Sequence, residues 1–166
     1  GLGSSSTLVV SMIKALADYL TVPLDDYEIA HIAYKIERID CNLKGGKQDQ
    51  YAATFGGFNY MEFKQDGSVL VNPLRVKNWI RCELESSLVL FFTSISRESA
   101  NIIKDQSSNV DKNAEQTINS FHNIKNSALN MKEALLKGNF EVFASELKSS
   151  WEEKVKTAKS VSNEKI

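Results

Sequence analysis

Hydroxyls stand at Ser4, Ser5 and Ser6, carboxylates at Glu37 and Asp49, and cations at Lys47 and Arg97. The serines follow a Gly1-Leu2-Gly3 turn and precede an apolar, small-residue stretch that reads as a helix. The two glycines have no Cβ to forbid positive φ, so the backbone can turn tightly there. The first turn of a helix carries unpaired N–H groups and the positive end of the macrodipole. Phosphate oxygens are natural partners for both. Residues 1–6 therefore read as a phosphate cradle, with hydroxyls as further donors or as ligands to a hard cation. A Gly/Ser string at a chain start equally suits a flexible tail. The carboxylates downstream decide between the two readings.

Phosphoryl transfer from a nucleotide is mostly positioning and charge stabilisation. It needs a backbone cradle, a cation bridging phosphates, and a group that accepts the proton of the attacking hydroxyl. Mg²⁺ wants oxygen ligands and keeps several waters, so one or two protein ligands suffice. Ser5 and Glu37 are candidates for the metal, and Asp49 is the candidate base.

These groups must be held by the elements around them. Ser4 or Ser5 is expected to cap the first helix. Leu8, Val9, Met12, Ile13, Leu16 and Leu20 give it a wide apolar face, Pro23 ends it, and with only Lys14 and Asp18 charged it should be mostly buried. Asp25 to Glu28 has the form of a capping box opening a helix to about Asp40. Glu37 falls on its last turn, where the dipole disfavours an acid. A solvated surface Glu is the ordinary reading there, and the unfavoured position hints at a task. After a Gly/Lys-rich loop, residues 48–55 read as a short helix stopped by Gly56-Gly57, with Asp49 in its first turn.

Phe58 to Phe63 and Leu70 to Val71 read as strands joined by a turn containing Asp66-Gly67. Leu88 to Phe92 is an unbroken apolar run expected to form a strand buried on both faces. Thr93 to Arg97 then enters a helix over about 98–106, a junction that suits either a helix cap or a site. From Asn109 onward the pattern is helical, broken at Gly138-Asn139. Phe143, Leu147 and Trp151 form a stripe most simply read as core, and Glu152, Glu153, Lys154 and Lys156 a solvated face.

Composition narrows the function classes. Twenty basic residues against twenty-one acidic, a net charge of −1, give no reason to expect a polyanion-binding surface, so nucleic acid is not favoured. Cys41 and Cys82 are far apart and read as reduced thiols of a cytoplasmic protein. No pair of His or Cys has metal-site spacing, and no apolar run is long enough to span a bilayer. The chain starts on its glycine turn and stops just after a helical pattern, as expected of a piece of a longer polypeptide. The order of helices, hairpin, strand and helical tail reads as α+β.

The loop Gly1-Leu2-Gly3-Ser4-Ser5-Ser6 resembles the second motif of the GHMP kinases, the small-molecule kinases of galactose, homoserine, mevalonate and phosphomevalonate. Gly46-Lys47-Gln48-Asp49-Gln50-Tyr51 looks like the sugar-kinase form of their catalytic-aspartate motif. Glu37 lies twelve positions before Asp49, the offset expected of the magnesium glutamate in galactokinase-like members. Within the family, residues 46–59, Asn72-Pro73-Leu74, residues 90–97 and Ser150-Trp151-Glu152-Glu153-Lys154 are similar to bacterial heptose-phosphate kinases, with Ser94 where those usually have glycine. Such enzymes phosphorylate the anomeric hydroxyl of D-glycero-D-manno-heptose 7-phosphate with ATP and Mg²⁺, for nucleotide-heptose and surface polysaccharide synthesis.

The resemblance implies that Gly1, Leu2, Gly3, Ser4, Ser5 and Ser6 bind the ATP phosphates, that Ser5 and Glu37 hold Mg²⁺, and that Asp49 is the base or orients the sugar hydroxyl. Lys47 and Arg97, by charge and place, are candidates to meet the substrate phosphate. It also implies a GHMP fold. Residues 1–81 would be the remainder of an N-terminal ribosomal-protein-S5-domain-2-like domain, and 82–166 part of a C-terminal, helix-rich ferredoxin-like domain. A homodimer is compatible with it, and no membrane partner is implied. The family's other motifs would lie before Gly1 and after Ile166, so the piece alone is expected to bind or turn over poorly. An L-fucose or galactose kinase on the same scaffold is the near alternative, and a non-catalytic sugar- or nucleotide-binding relative the more distant one.

Overall fold

A computed structural model describes residues 3–91, 99–112 and 115–162. Helix α1 (Ser4–Leu20) is followed by α2 (Asp26–Tyr34), which runs on into a π-helical segment (Lys35–Asp40). Next come α3 (Gln48–Phe55) and an antiparallel hairpin of β1 (Asn59–Phe63) and β2 (Val69–Pro73). Helices α4 (Asn78–Ser87), α5 (Ser99–Asp111), α6 (Glu115–Lys137) and α7 (Phe140–Thr157) complete the chain, with a final 3₁₀ turn over Lys159–Val161. The chain divides into two compact units, Gly1–Leu74 and Arg75–Ile166.

In the first unit, Val10, Ile29 and Ala33 form an apolar cluster flanked by Val9, Ile13, Leu24 and Ala53, so α1, α2 and α3 share one core. A second cluster, Ala30, Tyr51 and Val71 with Phe55, Met61 and Val69, seats the hairpin on α2 and α3. Tyr27 locks that seat. Its ring lies edge-on to Phe55 at 4.9 Å, and its hydroxyl accepts from the Val71 N–H at 3.0 Å. Asp25 and Glu28 make the expected capping box, each side chain accepting from the other residue's N–H at 2.8 Å. The hairpin register runs from Asn59↔Pro73 to Phe63↔Val69, with its turn where Asp66-Gly67 sits.

The first helix departs from expectation twice. Its N-cap is Gly3 in the left-handed region, and neither Ser4 nor Ser5 caps it. Only Ser6, Val10 and Ala17 are buried, while Leu8, Met12, Leu16 and Leu20 are exposed. A helix apolar on most of its circumference needs neighbours all round to be buried. Here α2 and α3 cover one side.

In the second unit α6 and α7 pack together through a corner at Gly138, φ 70°. The Asn139 N–H returns to the Ala134 carbonyl at 2.9 Å and the Gly138 N–H to that of Leu135 at 3.1 Å, the hydrogen-bond pattern of a glycine C-cap. The Asn139 side chain then accepts from the Val142 N–H and starts α7. Helix α5 is tied to the end of α7 by Gln106 and Asn109, which donate to the hydroxyl and carbonyl of buried Thr157. The strand expected over 88–92 is absent from the described residues. Leu88 is the C-cap of α4, a helix with no counterpart among the expected elements, and Leu88 to Phe91 are exposed. The Phe143, Leu147 and Trp151 stripe is not core either, since Leu147 and Trp151 remain exposed. The helix read from residue 98 runs as far as Asp111, so Asn109 lies inside it.

Candidate active site

Three helices of the first unit bring polar side chains to one end of their shared apolar cluster. Ser6 lies one turn before Val10 on α1, Glu37 one turn beyond Ala33 on the π segment, and Gln50 one turn before Ala53 on α3. All three are buried, at 1 %, 4 % and 0 % exposure. The Ser6 hydroxyl donates to Glu37 Oε2 at 2.8 Å. Gln50 Nε2 donates to the same oxygen and lies 3.3 Å from Ser6 Oγ. Among the described residues nothing hydrogen-bonds Glu37 Oε1. A buried carboxylate needs such donors, and here they leave one oxygen of the pair uncommitted.

The glycine turn meets the second acid. A Cβ on Gly3 would stand 3.7 Å from Asp49 Oδ1, so the carboxylate rests beside the start of α1. Asp49 is exposed, open to an incoming hydroxyl. Among the described residues no side chain caps the first turn of α1, which leaves its N–H groups to an external acceptor. The two acids and the opening serines therefore converge. The hydroxyl that meets Glu37 is that of Ser6. Ser4 and Ser5 are exposed, and Ser5 makes no side-chain hydrogen bond to the described residues. The oxygen donors fit a hard cation with few protein ligands. No group of three or more His, Cys, Asp or Glu able to hold a metal occurs among the described residues.

The π segment is a further mark of a site, since such windings are frequent at functional positions. It is closed by the Cys41 N–H bonding the Ile36 carbonyl at 2.9 Å. Arg38 on the same segment donates from Nε to the Gly46 carbonyl at 3.2 Å, which fixes the loop leading into α3. Lys47 is held by structure: Nζ donates to the Gly67 carbonyl at 2.6 Å and lies 5.0 Å from the centre of the Tyr34 ring. It borders a cavity of about 310 Å³ lined by Gly46, Gln48, Phe63, Lys64 and Ser68. Nearby, Ser68 donates twice to Asp66 and holds that carboxyl below its ordinary range. Gly1, Leu2, Ser94 and Arg97 lie outside the described residues.

From the sequence Gln50 is only one of two amides flanking Asp49, with no role of its own, and Ser6 has none beyond the cradle. A signal was present. Ser6, Glu37 and Gln50 each continue a helical apolar stripe by one turn, where a core residue would be expected.

Residues 1–57 match the model of the GHMP kinases N terminal domain. Over all 166 residues the chain is 50 % identical to a D-glycero-alpha-D-manno-heptose 7-phosphate kinase of Campylobacter jejuni, covering 48 % of that protein. It is 29 % identical over 157 residues to an L-fucokinase/L-fucose-1-P guanylyltransferase of Bacteroides fragilis, covering 92 % of this chain and 16 % of the relative. The crystal structure of a D-glycero-D-manno-heptose 1-phosphate kinase from Bacteroides thetaiotaomicron superposes with a TM-score of 0.77 at 51 % identity, over 94 % of this chain and 44 % of that one. The chain thus spans about half the length of the heptose kinases it matches.

Proposed function

We propose that the chain is part of an ATP-dependent sugar-phosphate kinase that transfers the γ-phosphoryl group of ATP to the anomeric hydroxyl of D-glycero-D-manno-heptose 7-phosphate. The observation that carries this reading is the convergence of Glu37 and Asp49 on the start of α1, through the Ser6–Glu37 bond and the Gly3–Asp49 contact. The first-turn N–H groups, with Gly1 to Ser6, bind the ATP phosphates. Ser5 and Glu37 hold Mg²⁺, which when bound neutralises phosphate charge. Asp49 takes the proton of the sugar hydroxyl or orients it. Lys47 and Lys64 beside the 310 Å³ cavity meet the phosphate already on the sugar.

The sugar assignment rests on the likeness to two heptose kinases at about half identity over nearly the whole chain. A fucokinase reading keeps a foothold in the 29 % likeness to the bifunctional relative. Residues 1–81 and 82–166 are read as parts of the S5-domain-2-like and ferredoxin-like domains of the family, in a cytoplasmic protein that acts alone or as a homodimer. No helix among the described residues is long and apolar enough to cross a membrane.

The test is a phosphoryl-transfer assay of the full protein across heptose 7-phosphate, L-fucose and galactose, with product position read by ³¹P NMR. Turnover concentrated on heptose 7-phosphate is expected, and equal rates on the free hexoses would remove the substrate assignment. Asp49→Asn should lower the rate by about 10²–10⁴-fold, and unchanged turnover would remove Asp49 from the mechanism.

A further inference from the structure

We infer that Gln50 is a positioning residue that fixes which oxygen of Glu37 is tied to the protein and which is left for the cation. The inference rests on the reading of Glu37 as a cation ligand. Its basis is a closed ring of hydrogen bonds on three helices. Gln50 Nε2 donates to Glu37 Oε2 and to Ser6 Oγ, and Ser6 Oγ donates to that same Oε2. Every bond in the ring ends on Oε2 or leads to it, so Oε1 is the oxygen without a protein partner among the described residues.

Packing does not account for Gln50. It is fully buried, and its own Oε1 is enclosed with no hydrogen-bond partner among the described residues. A buried amide oxygen without a donor is destabilising, and a methionine of similar length would fill the space without that cost. Turning the amide over would set its carbonyl against the Glu37 carboxylate. What the glutamine supplies is its Nε2 donor, aimed at Glu37. Neighbouring Asp49, the preceding residue of α3, rests against Gly3. One short helix therefore sets both acids, one directly and one through Gln50. Partners that orient a metal ligand are commonly worth 10–100-fold in metal affinity.

The experiment measures Mn²⁺ binding to the full protein by electron paramagnetic resonance, with a non-hydrolysable ATP analogue present. Gln50→Met is expected to weaken Mn²⁺ binding by about 10–100-fold, to leave the KM for the sugar near wild type, and to keep the circular dichroism spectrum and thermal midpoint. Glu37→Gln is the control. Loss of Mn²⁺ binding in Glu37→Gln with wild-type binding in Gln50→Met would overturn the positioning role alone. Wild-type binding in both would overturn the cation reading of Glu37 beneath it. If Gln50→Met fails to fold, the smaller Gln50→Leu, which also lacks the donor and adds no charge, takes its place. Loss of fold in both variants would make Gln50 a core residue only and end the proposal.

Discussion

At φ 71° Gly3 occupies the left-handed region while packing beside Asp49. The two facts make different demands on a side chain. A Cβ would meet Asp49 Oδ1 at 3.7 Å, an ordinary contact, so space alone does not require glycine. The dihedral does, since an L-residue held there costs about 1–2 kcal/mol. Gly3→Ala should lower the stability of the first unit by about that amount in urea titration. Gly46→Ala, with open space at its Cβ and no positive φ, should be neutral within about 0.5 kcal/mol. Equal losses at both positions would remove the backbone argument. Sequence reasoning reached Gly3, Glu37 and Asp49 because each stood at a recognisable place: a turn, a helix end, a first turn. The role of Gln50 was not legible, because a glutamine beside an aspartate on a short helix resembles any solvated amide. Its burial depends on where α1 and the π segment approach, which no local pattern encodes.

Elements capped by their own neighbours were legible. The Asp25–Glu28 box and the Asp66-Gly67 turn are complete within four residues, so local chemistry decides them. Leu88 to Phe91 form no strand here, because an apolar string states only that neighbours are wanted. Tyr51 on α3 lies at 5 % exposure between α2 and the hairpin. Burial, with a smaller contribution from Tyr27, raises its phenol above the ordinary 10.0. The folded state then holds this proton more tightly than the unfolded chain, and stability is full below pH 10 and falls as pH rises through the folded value. Tyr51→Phe should flatten that alkaline limb in denaturation midpoints taken from pH 8 to 11, and an unchanged limb would assign it to other groups. The α6–α7 corner is held differently. A Cβ on Gly138 would stand 2.3 Å from the Trp79 ring as well as forcing φ 70°. Gly138→Ala should therefore cost more than the roughly 1–2 kcal/mol of the dihedral alone, with a change in tryptophan fluorescence as Trp79 is displaced. A loss without a fluorescence change would leave only the dihedral.

Apolar surface is unevenly spent over the molecule. The cores of the first unit are small, and much of the apolar side-chain content faces outward. Leu8, Met12, Leu16 and Leu20 follow one another at four-residue spacing along α1 and are 56–62 % exposed. Side chains four apart on a helix stand one above another, so these make a continuous ridge. Their apolar character pointed to burial, but α2 and α3 use the opposite face, through Val10. A ridge of this kind on a chain of net charge −1 favours self-association. The 166-residue chain should therefore form concentration-dependent oligomers in analytical ultracentrifugation. Leu16→Lys should reduce them while moving the thermal midpoint little, since an exposed position contributes little to the core and a surface change is usually worth within about 0.5 kcal/mol. The same change at Val10, buried at 6 %, should unfold the unit, because a lysine there has no partner for its charge. If Leu16→Lys destabilises the chain as severely as Val10→Lys, then the ridge is packed in solution and both faces of α1 belong to a core.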